Sequence, residues 1–181
     1  MALICETGAI VAGAESYCSV SEADTYHAKN SNTTWIGADA VKEAALRKAA
    51  RYLDGHYRGR WMGYRVQPIT QTMEWPRLYV PFVGAAPGLV PGHEYASYLP
   101  SNAIPQRLKE AQCELALRAL SGDLAADLTA SVRRTRSKID VIENEYEYTP
   151  GAKAGQLEYQ IVDQLLSDYL KPAGSIDLVR G

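Results

Sequence analysis

The chain has 181 residues, of which 46% are hydrophobic, and its 19 basic and 21 acidic side chains give a net charge of −2. This length suffices for one domain of ordinary size with its own core. The near balance of charge excludes a global field that would draw the whole protein to nucleic acid or to an anionic membrane, so any such binding must be local.

Four segments show the apolar periodicity of helices. In the first, Ser21 with Asp24 three residues later resembles a capping box. The second is rich in alanine, with Asp39 as its expected cap and Gly55 or Gly59 as its expected end. The third begins at Pro105, whose fixed φ suits a first helical position. The predicted helices are 21–30, 39–57, 105–121 and 157–171.

Between residues 60 and 102 the helical period is lost. Short strands are predicted at 64–66 and 69–73, and frequent prolines and glycines forbid a continuous sheet. A long loop is therefore expected over residues 78–103, and a loop of this length is usually functional or ordered by a partner.

Residues 131–148 have the pattern of a β-hairpin with one basic and one acidic strand. Four positive charges within six residues are enough to contact phosphates. The opposite charges also allow pairing across the strands or between neighbouring subunits, or a simple solvated ribbon. The charges that matter to these alternatives are Arg133, Arg134, Arg136, Lys138, Glu143, Glu145 and Glu147.

A second basic concentration follows the alanine-rich helix, and Trp61 and Tyr64 are interleaved with it. These rings could stack on bases. The favoured alternative is that they seal the end of the helix against the Trp75–Pro76 segment, because aromatic rings chiefly supply buried area. The basic residues of this concentration are Arg47, Lys48, Arg51, Arg58, Arg60 and Arg65.

No catalytic, metal or cofactor pattern is found. The sequence has no phosphate loop, no G-x-S-x-G and no His-Glu-x-x-His, and its three histidines are dispersed. Cys5, Cys18 and Cys113 are scattered without a C-x-x-C pair, which predicts reduced cysteines that pack as small hydrophobes. The segment 1–7 is too short and not basic enough for a signal or anchor, so a protein made in the cytoplasm with no membrane partner is expected.

A series of spaced motifs resembles a known family. Val20-Ser21-Glu22-Ala23-Asp24-Thr25-Tyr26 is followed by the alanine-rich segment 42–54, then by Glu74-Trp75-Pro76-Arg77, and finally by Ile104-Pro105 leading into 111–116. In order and type these motifs resemble the head-to-tail adaptor (connector, head-completion) proteins of tailed bacteriophages, over roughly residues 1–122. Part of that family carries a DnaT-like, single-stranded-DNA-binding description.

This resemblance implies a mainly α fold, a small helical bundle with long loops, a projecting β-hairpin and extended terminal arms. It implies one adaptor domain over 1–172 and a tail over 173–181. The protein would be a structural virion component at the portal vertex, not an enzyme. It would form a dodecameric ring between the portal and the tail-side neck or tail proteins, with genomic double-stranded DNA passing through non-specifically.

The resemblance also assigns roles to residues. Trp75, Pro76 and Arg77 would fix the loop that leaves the bundle. The tail beyond Pro172 alternates in polarity like an extended strand, and it would dock on the portal through Ile176, Leu178 and Val179.

The alternative function is that of a single-stranded-DNA-binding protein. It draws on the description of the same family and on the two basic segments. The balanced net charge and the lack of a sheet with spaced aromatic residues argue against it.

Overall fold

The computed structural model describes residues 2–82, 98–125, 138–139, 142–143 and 158–171, the four strand residues 138–139 and 142–143 by their backbone alone. The chain divides into two compact units, one of residues 1–124 and 159–181 and the other of residues 125–158. The described part is mainly helical, with four helices packed together, which confirms the predicted fold class. The helices are α1 (Val20–Lys29), α2 (Asp39–His56), α3 (Gln106–Ala119) and α4 (Gln160–Leu166).

The cap of helix α1 lies two residues earlier than predicted, at Ser19. The Ser19 hydroxyl accepts a hydrogen bond from the Glu22 amide at 3.2 Å, and the Glu22 carboxylate accepts one from the Ser19 amide at 2.7 Å. The predicted box of Ser21 and Asp24 was therefore wrong. A glutamate reaches back to the cap more easily than the shorter aspartate, and Asp24 instead accepts from the Trp35 indole at 2.6 Å.

Helix α2 packs against α3 in the largest contact between helices. Its small residues allow close approach, and its buried stripe consists of Ala45, Leu46, Ala49, Ala50 and Leu53. Asp39 is the first residue of the helix rather than its cap, where its charge favours the positive end of the helix dipole. Gly55 lies inside the helix, which ends at the Tyr57 cap, so neither predicted glycine stop was right.

The last helix is shorter than predicted. Helix α4 ends at Leu166 and continues as a single 3₁₀ turn over Ser167–Tyr169. The chain then becomes extended and pairs with the segment after α2, where the Met62 amide donates to the Tyr169 carbonyl at 2.9 Å and the Lys171 amide to the Arg60 carbonyl at 2.7 Å. These contacts with a distant segment replace the final helical turn.

A two-residue antiparallel pair follows α2. Strand β1 (Tyr64–Arg65) pairs with β2 (Arg77–Leu78), and Tyr64 faces Leu78. The strand predicted at 69–73 does not form. Its Gln71 is buried, and the side-chain amide donates to the carbonyls of Met73 at 2.9 Å and Pro76 at 3.0 Å, which stabilises a turn between the strands.

In the second unit, β3 (Lys138–Ile139) pairs antiparallel with β4 (Ile142–Glu143), with Lys138 opposite Glu143. This pair falls within the predicted hairpin of residues 131–148. Other predicted features lie outside the described residues: the charged residues Arg133, Arg134, Arg136, Glu145 and Glu147, the docking residues Ile176, Leu178 and Val179, and positions 83–97 of the predicted loop.

One buried glutamine joins three elements of the first unit. Gln112 of α3 is fully buried, and its side-chain oxygen accepts from the Tyr17 amide at 2.8 Å. Its amide nitrogen donates to the Ser16 hydroxyl at 2.7 Å and to the Leu46 carbonyl of α2 at 3.0 Å. These three hydrogen bonds stabilise the N-terminal segment against α2 and α3, and they satisfy the polar atoms of a side-chain amide that is buried away from water.

Replacing Gln112 by methionine should therefore lower the free energy of unfolding by about 2 to 3 kcal/mol, because the buried Tyr17 amide loses its acceptor while the side-chain volume is nearly kept. Urea denaturation followed by circular dichroism measures the change. The control is Gln106→Met on the exposed start of α3. Equal stability of the two variants would contradict the assigned role of Gln112.

Candidate nucleic-acid interface

Four aromatic side chains are exposed around β1, β2 and the adjoining chain. The exposed fraction is 72% for Tyr64, 63% for Tyr79, 53% for Phe82 and 45% for Tyr98. Rings of this kind present flat apolar faces to solvent, and such faces are what a base needs for stacking. We call this set the aromatic surface.

The backbone holds the members of the aromatic surface near one another. Tyr64 pairs with Leu78, the residue before Tyr79. The rings of Tyr79 and Tyr98 meet edge to face with centroids 5.8 Å apart, and the Leu99 amide donates to the Val80 carbonyl at 2.9 Å. The rings of Tyr79 and Tyr98 are therefore in direct contact, and Tyr64 lies on the strand that pairs with the residue before Tyr79.

Gly63 is required for this packing. Its φ of +66° lies in the left-handed region, and a Cβ atom at this position would stand 2.0 Å from the Leu78 carbonyl oxygen. Only glycine lets the chain enter β1 so close to β2. The position of Tyr64 thus depends on the residue before it.

Two arginines lie in the turn that leads from α2 into β1. The Arg58 side chain is 74% exposed, with its Nε atom 3.5 Å from the Glu74 carboxylate. The Arg60 side chain is 46% exposed, 4.0 Å from the Asp163 carboxylate, and its guanidinium lies 5.5 Å from the centre of the Tyr57 ring. The exposed Arg60–Asp163 pair contributes little to stability. The buried Glu74 keeps its 2.9 Å contact with Arg77 if Arg58 moves away. Both guanidinium groups can therefore exchange a carboxylate for a phosphate at little cost.

The other members of the predicted basic concentration lie on α2, except Arg65, which lies in β1 itself. Arg47 pairs with Glu15 at 2.7 Å, Lys48 pairs with Asp123 at 2.9 Å, and the Arg65 guanidinium donates to the Gln71 carbonyl. Arg51 is exposed on α2 and forms no ion pair within the described residues. Of this concentration, Arg58 and Arg60 are therefore the two exposed arginines in the turn that leads into the hairpin.

The two predicted stacking residues have opposite environments. Trp61 is 1% exposed and packs edge to face on Trp75, with ring centres 5.8 Å apart. The favoured interpretation, that it seals the end of α2, is confirmed for this residue. It was wrong for Tyr64, whose ring is exposed because its strand lies at the surface.

The predicted loop-fixing residues are all buried. Arg77 donates to the Met62 carbonyl and to the Gly63 carbonyl, each at 2.8 Å, and its guanidinium contacts the Glu74 carboxylate at 2.9 Å. Burial lowers the pKa of Arg77, and the Glu74 charge opposes this shift. The Arg77 side chain of β2 thereby fixes Met62 and Gly63, the two residues that precede β1.

A buried carboxylate supports the same segment from α2. Asp54 accepts hydrogen bonds from the Tyr17 hydroxyl and, at 3.2 Å, from the Glu74 amide. The Tyr17 oxygen in turn accepts from the Trp75 amide at 3.3 Å. Burial raises the pKa of Asp54 from 3.8 to about 6, although these hydrogen bonds lower it.

The raised pKa of Asp54 predicts the direction in which the stability of the protein changes with pH. Because the pKa is higher in the folded protein, the contribution of this carboxyl to stability is greatest below about pH 4 and is lost as the pH rises to about 6. Relative to Asp54→Asn, the wild type should lose on the order of 2 kcal/mol of unfolding free energy between those limits.

Urea denaturation of both proteins at about pH 4 and about pH 7 measures this difference. Asp123→Asn is the control, because the Asp123 side chain is 72% exposed. A gap between wild type and Asp54→Asn that does not change with pH would contradict the raised pKa. Glu74 and Arg65 are the neighbouring groups whose charges act on Asp54, and Tyr17 acts through its hydrogen bond.

Within the described ranges, no group of three or more histidine, cysteine or acidic residues could hold a metal ion. No helix of that part of the chain is both long and apolar enough to cross a membrane. The chemistry available at the surface is stacking and charge.

A family model described as "Putative DnaT-like ssDNA binding protein" matches residues 1–181 of the chain. The protein belongs to this DnaT-like family. The description names DNA binding and no catalytic activity. No curated protein and no solved structure matches the chain.

The predicted identity as a phage head-to-tail adaptor was therefore wrong. The adaptor resemblance covered roughly residues 1–122, whereas the DnaT-like match covers the whole chain. The partners that the resemblance implied were wrong as well. They were the other subunits of a dodecameric ring, the portal, the tail-side proteins and the double-stranded genome of a virion. The alternative prediction, single-stranded-DNA binding, agrees with the family.

Proposed function

We propose that the protein binds single-stranded DNA through the aromatic surface and the two arginines beside it. The observation that carries this proposal is the exposure of Tyr64 on β1 and of Tyr79 and Tyr98, whose rings meet edge to face, on the adjoining chain. The family description indicates single-stranded DNA as the ligand, and the exposed rings can bind it by stacking on its bases.

Stacking explains a preference for single strands. In a duplex the base faces are already covered by neighbouring bases, whereas a single strand can place them on tyrosine rings. Each stacked base contributes about 1 to 3 kcal/mol, and every base has a face to offer. The binding is therefore tolerant of sequence.

Local charge completes the site despite the net charge of −2. Arg58 and Arg60 lie within six residues of Tyr64 along the chain, so a strand whose bases stack on the rings can place phosphates against the guanidinium groups. Two arginines give a modest electrostatic contribution, and the rings carry most of the affinity.

The site is fixed before the ligand arrives. Arg77 holds the residues in front of β1, and the Asp54 network holds the residues in front of β2. A surface that is already ordered loses little conformational entropy on binding. We place this activity in the cytoplasm, in keeping with a DNA-binding family.

Arg133, Arg134, Arg136 and Lys138 stay a prediction from the sequence as a second phosphate-binding segment. Their charge density suits contact with phosphates.

Single alanine substitutions at Tyr64, Tyr79 and Tyr98 should each weaken binding of a fluorescent oligo-dT strand by about fivefold to a hundredfold, because each removes one stacking face. Fluorescence anisotropy measures the affinity. The matching phenylalanine variants should bind within about twofold of wild type, since the ring remains.

Ile36→Ala serves as the surface control, because Ile36 is 73% exposed and lies before α2, away from the hairpin in sequence. Unchanged affinity in all three alanine variants would rule out the aromatic surface as the binding site. A duplex of the same sequence should bind more weakly than the single strand.

The double substitution Arg58→Ala with Arg60→Ala should reduce the salt dependence of binding. Each phosphate contact on a single strand contributes about 0.7 to the slope of log K against log salt, so the slope should fall by about 1.4. Lys29→Ala at the exposed end of α1 removes one charge from another element and should leave the slope unchanged. An unchanged slope in the double variant would exclude the arginines from the contact.

A further inference from the structure

Two cysteines that are far apart in the chain meet in the core. Cys18 is 0% exposed and Cys113 is 2% exposed, and their Sγ atoms are 3.8 Å apart across a sequence separation of 95 residues. Both cysteines are free thiols. Neither contributes to the aromatic surface, so this pair has no part in the proposed DNA binding.

The neighbours of the two cysteines keep the thiols facing each other. Tyr17, beside Cys18, donates its amide to Gln112, beside Cys113, at 2.8 Å. The Gln112 amide also bonds Ser16 at 2.7 Å. A disulfide requires the sulfur atoms to close from 3.8 Å to about 2.05 Å.

Both cysteines are among the residues that line a small groove between α1 and α3. The volume of the groove is about 250 Å³, and its other lining residues include Ser21, Tyr26 and Lys109. A molecule of water occupies about 30 Å³, so the groove has room for a small polar oxidant such as a peroxide.

We propose that Cys18 and Cys113 are a redox modification site that forms an intramolecular disulfide when hydrogen peroxide or another small peroxide enters this groove. One thiol loses its proton, and the thiolate attacks an oxygen of hydrogen peroxide, so that the O–O bond breaks and a sulfenic acid forms on sulfur. The hydroxide that leaves takes up the released proton and becomes water. The second thiol attacks that sulfur and displaces a second water. In balance, two thiols and one hydrogen peroxide give one disulfide and two waters.

The surroundings of the pair make the reaction slow at neutral pH and faster in alkali. The pKa of Cys18 is raised by its hydrogen bond with Cys113 and by burial. Burial raises the pKa of Cys5 to about 11. Only the thiolate reacts with peroxide, so the rate should increase with pH. Cys5 is the competing thiol, because its Sγ atom lies 3.4 Å from the Cys18 carbonyl oxygen.

The test treats the folded full chain with hydrogen peroxide, blocks the remaining thiols by alkylation, and maps disulfides by mass spectrometry of peptides. The expected product is a monomer that has lost two hydrogens, with Cys18 joined to Cys113 and Cys5 alkylated. The bond should raise the midpoint of thermal unfolding by at least about 5 °C, because it restrains a long loop of the unfolded chain, and dithiothreitol should reverse this rise.

Cys5→Ser is the matched control and should still form the bond, whereas Cys113→Ser should not. If a variant fails to fold, the disulfide map of the wild-type protein decides whether Cys18 and Cys113 form the bond. A disulfide that includes Cys5, a bond between two chains, or peroxide-treated folded protein whose Cys18 and Cys113 remain alkylatable would each overturn the proposal.

Discussion

The buried amide of Gln112 is the constraint on which the rest of the described structure depends. It lies on α3, yet it satisfies groups of the N-terminal segment and of α2, so three separate parts of the chain can be buried together without unpaired polar atoms. An apolar side chain at this position would leave the Tyr17 amide without an acceptor in the core. The helices pack closely through small residues because this polar contact is already made.

A sequence of contacts leads from that amide to the surface. Once Tyr17 is fixed, its hydroxyl meets Asp54 and the amide of Trp75. Two residues further on, Arg77 donates to the carbonyls of Met62 and Gly63, which enter β1. The aromatic surface therefore rests on a buried polar network, and this explains how a hairpin of only two residues per strand can present ordered rings.

The net negative charge of the chain is compatible with membership of a DNA-binding family if DNA binds to a local site. A net charge of −2 gives no long-range attraction to DNA, and most basic residues of the described part are paired with carboxylates. Stacking needs no such field, because it acts at contact. The adaptor resemblance was misleading for a related reason: its motifs mark residues such as Trp75 and Arg77 that pack in the core, and packing residues identify a fold more readily than a ligand.

The sequence by itself determined the four helices and the mainly helical class, because apolar periodicity acts within a few residues along the chain. It misplaced the cap of α1 and predicted a strand at 69–73, where a buried glutamine side chain competes for the backbone. It could not show that Tyr64 is exposed while Trp61 is buried, nor that Cys18 approaches Cys113. Those outcomes depend on contacts between segments far apart in the chain, and only tertiary packing decides them.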